Sequence, residues 1–256
     1  MQHTTVQFGK NTVTKTAAPV LMRVEVEKTR KAAEIGRDCG LFRVPKILDY
    51  DENRGIAVFE RLDIKPLSKT IGWGEQRRIL AGWLGTSLAI IHREMVLPDD
   101  MCVPLPDEFV SPHDHVFLHG DLSVDNVCVG RSWPQLAIVD WQMTGLYGGK
   151  ATYGTRYFDI LWFASNIINR PRVRLLFNNP VSPVMRAFMG SYFQEAKIPY
   201  TAEEIAEYAS KFFGIVMPLV RQRAQRSWGR SRLLLQRSQV LLQQFINSLG
   251  SMSEHI

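Results

Sequence analysis

The chain has 256 residues, of which 45% are hydrophobic and 22% charged. These are ordinary globular values and exclude a largely disordered chain. No apolar run reaches the roughly eighteen residues a membrane-spanning helix needs, and residues 1–10 lack the basic-then-apolar order of a secretory signal. The three cysteines, Cys39, Cys102 and Cys128, are odd in number and widely spaced, which fits reduced thiols in a cytoplasmic protein rather than a disulfide framework or a metal knuckle.

The net charge of +6 is uneven: residues 1–150 carry a net −1 and residues 151–256 a net +7. Arg221, Arg223, Arg226, Arg230, Arg232 and Arg237 make up most of that excess. Such a run is either a solvated helix face or an attractor for anions, and the planar guanidinium favours phosphate or carboxylate. Peripheral contact of the 221–237 helix with anionic membrane lipid is one expectation. Nucleic acid is disfavoured as a partner, because Trp228 is the one aromatic residue among these arginines.

In chain order, the short β-branched runs Thr4 to Phe8 and Thr12 to Thr16, with Gly9, Lys10 and Asn11 between them, predict a hairpin. Leu21 to Asp38 is rich in helix formers and stops at Gly40. Lys46 to Tyr50 and Ile56 to Glu60 flank a turn at residues 51–55 and predict a strand pair. Glu75 to Met95 places Ile79, Leu80, Trp83, Leu84, Leu88 and Ile91 at helical spacing. Residues 98–112 hold four prolines and several acids, the pattern of a loop. Short strands are expected at Val116 to Leu118, Val127 to Val129 and Leu136 to Val139. Helices then follow at 156–168, 182–195, 201–217 and roughly 219–249, with Pro218 kinking or separating the last two. This order predicts an α+β protein with a small sheet part and a helical part.

Residues 117–140 read FLHGDLSVDNVCVGRSWPQLAIVD. Asp121 and Asn126 lie five apart in a loop between two short strands, and Asp140 ends the next apolar run. Two carboxylates and an amide at strand ends suit a divalent metal on phosphate oxygens, since Mg²⁺ takes hard oxygen ligands and few protein carboxylates. A carboxylate left off the metal can orient and deprotonate a hydroxyl. The Asp-to-Asn spacing is that of the kinase catalytic loop.

His119-Gly120-Asp121 followed by Asn126, with Ile138-Val139-Asp140-Trp141 after it, resembles the aminoglycoside phosphotransferase and choline kinase-like family of small-molecule kinases. The resemblance extends over residues 4–170. It implies a bilobal protein-kinase-like fold: a shortened N-terminal nucleotide-binding sheet lobe at 1–62 and a mainly helical lobe at 63–256 with the catalytic loop and the substrate site. It further implies ATP and Mg²⁺ as cofactors and a hydroxyl of a small molecule as acceptor: a sugar, sugar acid, amino alcohol or antibiotic. Asp121 would be the catalytic base, and Asn126 and Asp140 the metal ligands. Lys15 would reach the phosphates, paired with an acid on the following helix. Glu27 is the choice there, with Glu25 and Glu34 as alternatives. Phe59-Glu60-Arg61-Leu62 would be the hinge, with Glu60 and Leu62 meeting the adenine, and Asp159 would brace the loop.

One departure is plain. Only Gly9 precedes Lys15, so the glycine-rich phosphate loop of protein kinases is shortened or missing. That admits a second reading, a nucleotide-binding pseudokinase acting as an interaction scaffold. The presence of Lys15, Asp121, Asn126 and Asp140 together argues against it.

Overall fold

A computed structural model gives the fold. It describes residues 4–69, 75–109, 115–131, 135–145, 149–168, 181–198 and 202–228, with isolated helical positions at 240, 244 and 247. The chain divides into two compact units, one formed by Met1–Ile71 with Ile90–Arg156 and the other by Gly72–Ala89 with Tyr157–Ile256.

The first unit opens with β1 (Thr5–Phe8) and β2 (Thr12–Thr16), an antiparallel hairpin in which Val6 faces Lys15. Helix α1 follows over Pro19–Cys39. Proline at its start costs nothing, since the first helical amides lack partners anyway. Gly40 ends it at φ 71°, with its amide on the Gly36 carbonyl at 3.0 Å, a left-handed stop that glycine makes without strain. Next come β3 (Phe42–Arg43), β4 (Ile47–Asp51), β5 (Ile56–Glu60) and β6 (Ile64–Pro66). One sheet has the order β1-β2-β5-β4. Helix α1 packs on it through Met22 and Val26 against Ala57 and Phe59, flanked by Ala17, Ile47 and Tyr50.

After α2 (Glu75–Glu94), the proline-rich segment forms two short 3-10 turns, Asp99–Met101 and Asp107–Phe109. The strands β7 (Val116–Phe117), β8 (Val127–Gly130), β9 (Leu136–Ile138) and β10 (Tyr153–Gly154) complete the unit. A second sheet runs β3-β9-β8-β6, and β7 pairs with β10. Strand β3 approaches α1 so closely that a Cβ at Gly36 would stand 2.6 Å from the Phe42 carbonyl oxygen, so glycine is required there. The strands β3, β6 and β10 are two or three residues long and carry no alternating pattern of their own; their pairing is tertiary.

The second unit is helical: most of α2, α3 (Tyr157–Ile168), α4 (Val181–Ala196) and α5 (Ala202–Trp228). Its core is aromatic, with Phe163 on Phe188 at 5.0 Å between ring centroids and Phe158 on Phe212 at 5.7 Å. Asp159 is fully buried on α3. Separation of two helices at Pro218 is corrected: α5 runs through it. Proline removes one helical amide and crowds the carbonyl four residues back. That residue is Gly214, and both Gly214 and Pro218 are exposed, so water can satisfy the freed carbonyl. Phe212, Phe213, Val216 and Met217 meanwhile stay buried and hold both halves of the helix in place. The side chains of Arg221, Arg223 and Arg226, and Arg230, Arg232 and Arg237 altogether, lie outside the described residues. Among the described residues no helix is long and apolar enough to cross a membrane.

Candidate active site

Within the first unit a cavity of about 1060 Å³ lies between the two sheets, at the upper end of the size range of small-molecule sites. Val13, Phe59, Leu62, Ile64 and Val139 give it apolar walls, and Lys15, Glu25, Asn126 and Asp140 line it with polar groups.

Lys15 sits in the register of β2 opposite Ala57 of β5. Its ammonium donates to Glu25 Oε1 at 2.5 Å and to Asp140 Oδ1 at 2.8 Å. The pairing with Glu27 is therefore corrected. Glu27 is bonded to Arg30 on the outer side of α1, whereas Glu25 is 2% exposed. The reason is helical phase: residues two apart point about 200° apart around the axis, and the sheet-facing set Met22, Val26 and Thr29 includes position 25, not 27. Glu34 is bonded to Lys31.

Burial works against the charge on Lys15, but the carboxylates of Glu25 and Asp140 outweigh it and hold the ammonium above its ordinary pKa. Burial also lifts the Glu25 carboxyl above the usual range, against the pull of Lys15. The two shifts reflect an uneven sharing: one ammonium serves two acids, and Glu25 Oε2, fully enclosed, has no hydrogen-bond partner among the described residues.

The loop after β7 places Asp121 and Asn126 side by side. Asn126 Nδ2 donates to the Asp121 carbonyl at 2.9 Å and to its Oδ2 at 3.1 Å. Asp121 itself stands half-buried beside the cavity and is not among its lining residues. Gly120 turns the chain at φ 88°, a conformation that disfavours any side chain. The buried His119 accepts the Asp121 amide on Nδ1 at 3.2 Å and packs against Trp141 at a tilt, with 4.6 Å between ring centroids and 41° between planes. The Val139 amide donates to the Asn126 carbonyl at 3.0 Å, which ties this loop to the end of β9. There Asp140 takes φ 63°. Asp140 is 40% exposed, so its oxygens reach the cavity.

Glu60 and Leu62 also line the cavity. The Glu60 amide is taken by the Lys46 carbonyl and the Arg61 amide by Asn11, each at 2.8–2.9 Å. No hydrogen bond to the Leu62 amide occurs among the described residues. Lys28, whose ammonium donates to the His119 carbonyl at 2.8 Å, escapes a reading by motif. The available signal was a lysine one helical turn after Glu25.

A lysine on a strand, its acid on the next helix, a loop with Asp and Asn five apart and an Asp ending the following strand belong together in the protein-kinase-like fold. Solved structures agree. A choline/ethanolamine kinase family protein from Mesorhizobium loti is 16% identical and aligns over 96% of this chain and 88% of its own, with a TM-score of 0.54. A macrolide 2'-phosphotransferase from Brachybacterium faecium is 12% identical over 94% and 88%, also at 0.54. A wild-type aminoglycoside 2'-phosphotransferase-IIIa in its GDP complex is 10% identical over 96% and 89%, at 0.52. An ADP-bound aminoglycoside phosphotransferase aligns at 0.50.

Residues 102–179 match the model of the phosphotransferase enzyme family. No curated protein matches the chain. The α+β architecture expected from the order of elements, and the protein-kinase-like fold and likeness to this family expected from residues 119–140, are borne out.

Proposed function

We propose that the chain transfers the γ-phosphoryl group of a nucleoside triphosphate to a hydroxyl of a small molecule, with Asp121 as the base. The observation that carries this reading is the convergence of Lys15, Glu25, Asn126 and Asp140 on one cavity, with Asp121 hydrogen-bonded to Asn126 at its edge. In this reading residues 1–62 form the nucleotide-binding lobe and residues 63–256 hold the loop and the acceptor site.

The donor set suits Mg²⁺. Lys15 takes one oxygen of Asp140 and the Asn126 amide nitrogen is spent on Asp121. Asp140 Oδ2 and Asn126 Oδ1, both hard oxygens, accept no hydrogen bond among the described residues. Two such ligands are what Mg²⁺ takes when phosphates and water complete its shell. When bound, the metal neutralises charge on the transferring phosphoryl group.

The remaining work falls to the chain's own side chains. Lys15, held charged by Glu25, would bind phosphate oxygens. The amide of Leu62, with Glu60 beside it, offers a base its hydrogen bond, and Phe59, Val13 and Ile64 supply apolar walls. Asp121 Oδ would accept the acceptor's hydroxyl proton while Asn126 keeps the carboxylate in place. The acceptor would be a sugar, sugar acid, amino alcohol or antibiotic, in keeping with the choline/ethanolamine and macrolide enzymes that share the fold. ATP is the first donor to test and GTP the second, because one neighbour holds ADP and another GDP.

Calorimetric titration of nucleotide, with and without Mg²⁺, tests the reading. Wild type and Asp121→Ala should bind alike, and Asp140→Ala should lose the Mg²⁺-dependent part of the affinity. Equal Mg²⁺ dependence in Asp140→Ala and wild type would remove Asp140 from the metal.

A further inference from the structure

We propose that Lys28 is a positioning residue: from the helix that carries Glu25 it fixes the loop that presents Asp121. This rests on the reading of Asp121 as the base.

Lys28 is 1% exposed, which is rare for a lysine and needs compensation. Its ammonium donates to the His119 carbonyl at 2.8 Å. That carbonyl is the first of three in a row, each taken by a different part of the unit. The Gly120 carbonyl accepts the Thr144 amide at 3.1 Å, and the Asp121 carbonyl accepts Asn126 Nδ2 at 2.9 Å. One of these holds is backbone and another comes from a proposed metal ligand. Lys28 supplies the remaining hold, through a side chain that neither lines the cavity nor is a proposed metal ligand.

Its place on α1 adds a consequence. Lys28 follows Glu25 by three residues, so both lie on one side of the helix, and its charge also acts on Glu25. The helix thereby grips the site twice, through Glu25 to Lys15 on β2 and through Lys28 to the loop before β8. A shift of α1 that parts Glu25 from Lys15 must also pull on His119. Nucleotide contact through Lys15 and base placement through Asp121 are coupled by one rigid element. Misplacing a base by about an ångström can cost up to roughly a hundredfold in rate, whereas Lys28 is not among the residues that line the nucleotide cavity.

The test compares the full chain with Lys28→Met, close in size and without the donor, and Lys28→Arg, which keeps charge and donor. Three quantities are read: turnover by ADP release, the nucleotide dissociation constant, and amide hydrogen exchange over residues 118–122. Lys28→Met should lower kcat about tenfold or more, leave nucleotide affinity within about twofold, and speed exchange in 118–122. Lys28→Arg should recover part of both losses. Wild-type kcat and exchange in Lys28→Met would overturn the proposal, as would a loss confined to nucleotide affinity. Should Lys28→Met fail to fold, Lys28→Gln takes its place with the same readings. Should the wild type transfer phosphate to no alcohol, the reading of function falls, and exchange in 118–122 still decides whether Lys28 holds the loop.

Discussion

Lys15→Met should be the most destabilising single change in the site. The side chain is 11% exposed and neutralises Glu25, which is 2% exposed, and Asp140, which is 40% exposed. Asp140 can turn to water, so its share of the loss is small. Glu25 cannot: Oε2 already lacks a partner among the described residues, and methionine removes the one that Oε1 has. Stranding one member of a buried ion pair costs about 3–5 kcal/mol. At about 2–4 °C per kcal/mol for a chain of this size, the melting temperature should fall by roughly 6–20 °C. Glu25→Gln added to Lys15→Met should recover much of that loss, because the buried charge is then gone.

The pH dependence of Lys15→Met has a definite sign. Burial raises Glu25 in the folded state, and losing Lys15 raises it further. A raised carboxyl gives stability that is present below the unfolded pKa and is lost as pH climbs through the folded one. The gap between wild type and Lys15→Met should therefore be small near pH 4.5 and widen toward pH 8. In the wild type the raised Lys15 contributes stability that persists up to its ordinary 10.5 and disappears above it. Scanning fluorimetry of wild type, the two single variants and the double variant from pH 4.5 to 8 reads the widening gap, and carrying the wild type above pH 10.5 reads the loss of the Lys15 contribution. A melting temperature for Lys15→Met within about 2 °C of wild type at pH 7.5, about 0.5–1 kcal/mol by the same scale, would refute the argument. So would a gap that does not change with pH.

Glu27→Ala should be nearly silent, since the Glu27–Arg30 pair is partly exposed and such helical pairs contribute about 0.3–0.5 kcal/mol. A drop in nucleotide affinity in that variant would reopen the choice between Glu25 and Glu27. Gly120→Ala should lose about 1–2 kcal/mol for the left-handed backbone alone. It should lose turnover too, since the new Cβ would stand 2.8 Å from Met143 Sδ and 3.1 Å from its Cα; wild-type melting and turnover would contradict the geometry of the loop. Burial pushes the Cys128 thiol up to about 12, so a disulfide reagent at pH 8 should modify Cys39 and Cys102 in the native protein. Cys128 should follow only on denaturation, and rapid native labelling at Cys128 would contradict its burial.

The candidate site was legible because its pattern is local. Asp121, Asn126 and Asp140 sit at fixed offsets, and the apolar runs of β8 and β9 between them show their period on the page. The hairpin and α1 were legible for the same reason, by β-branching and by Gly40. Helical phase was harder. Glu25 and Glu27 are chemically equal along the chain, and only the sheet-facing set with Met22 and Val26 separates them. Pro218 misled because its local rule is sound; an exposed Gly214 four residues back and the buried residues around it override that rule. The second sheet was illegible, since β3 and β6 are short pieces joined to β9 and β8 by pairings from far along the chain. The hold of Lys28 on His119 joins residues 91 apart in the chain, and no spacing rule reaches that far.

Transfer itself is the most direct test. The full chain with ATP, or GTP, and Mg²⁺ is incubated with a panel of sugars, sugar acids, amino alcohols and antibiotics, following ADP or GDP release and the phosphorylated alcohol by mass spectrometry. The account predicts at least one alcohol that raises release above the solvent background and returns as its phosphate ester. It also predicts that Asp121→Ala lowers that rate by about 10²–10⁴-fold while still binding nucleotide. An ester formed equally fast by Asp121→Ala would contradict the assignment of the base, and tight Mg²⁺-nucleotide binding with no ester from any alcohol would contradict phosphoryl transfer as the function.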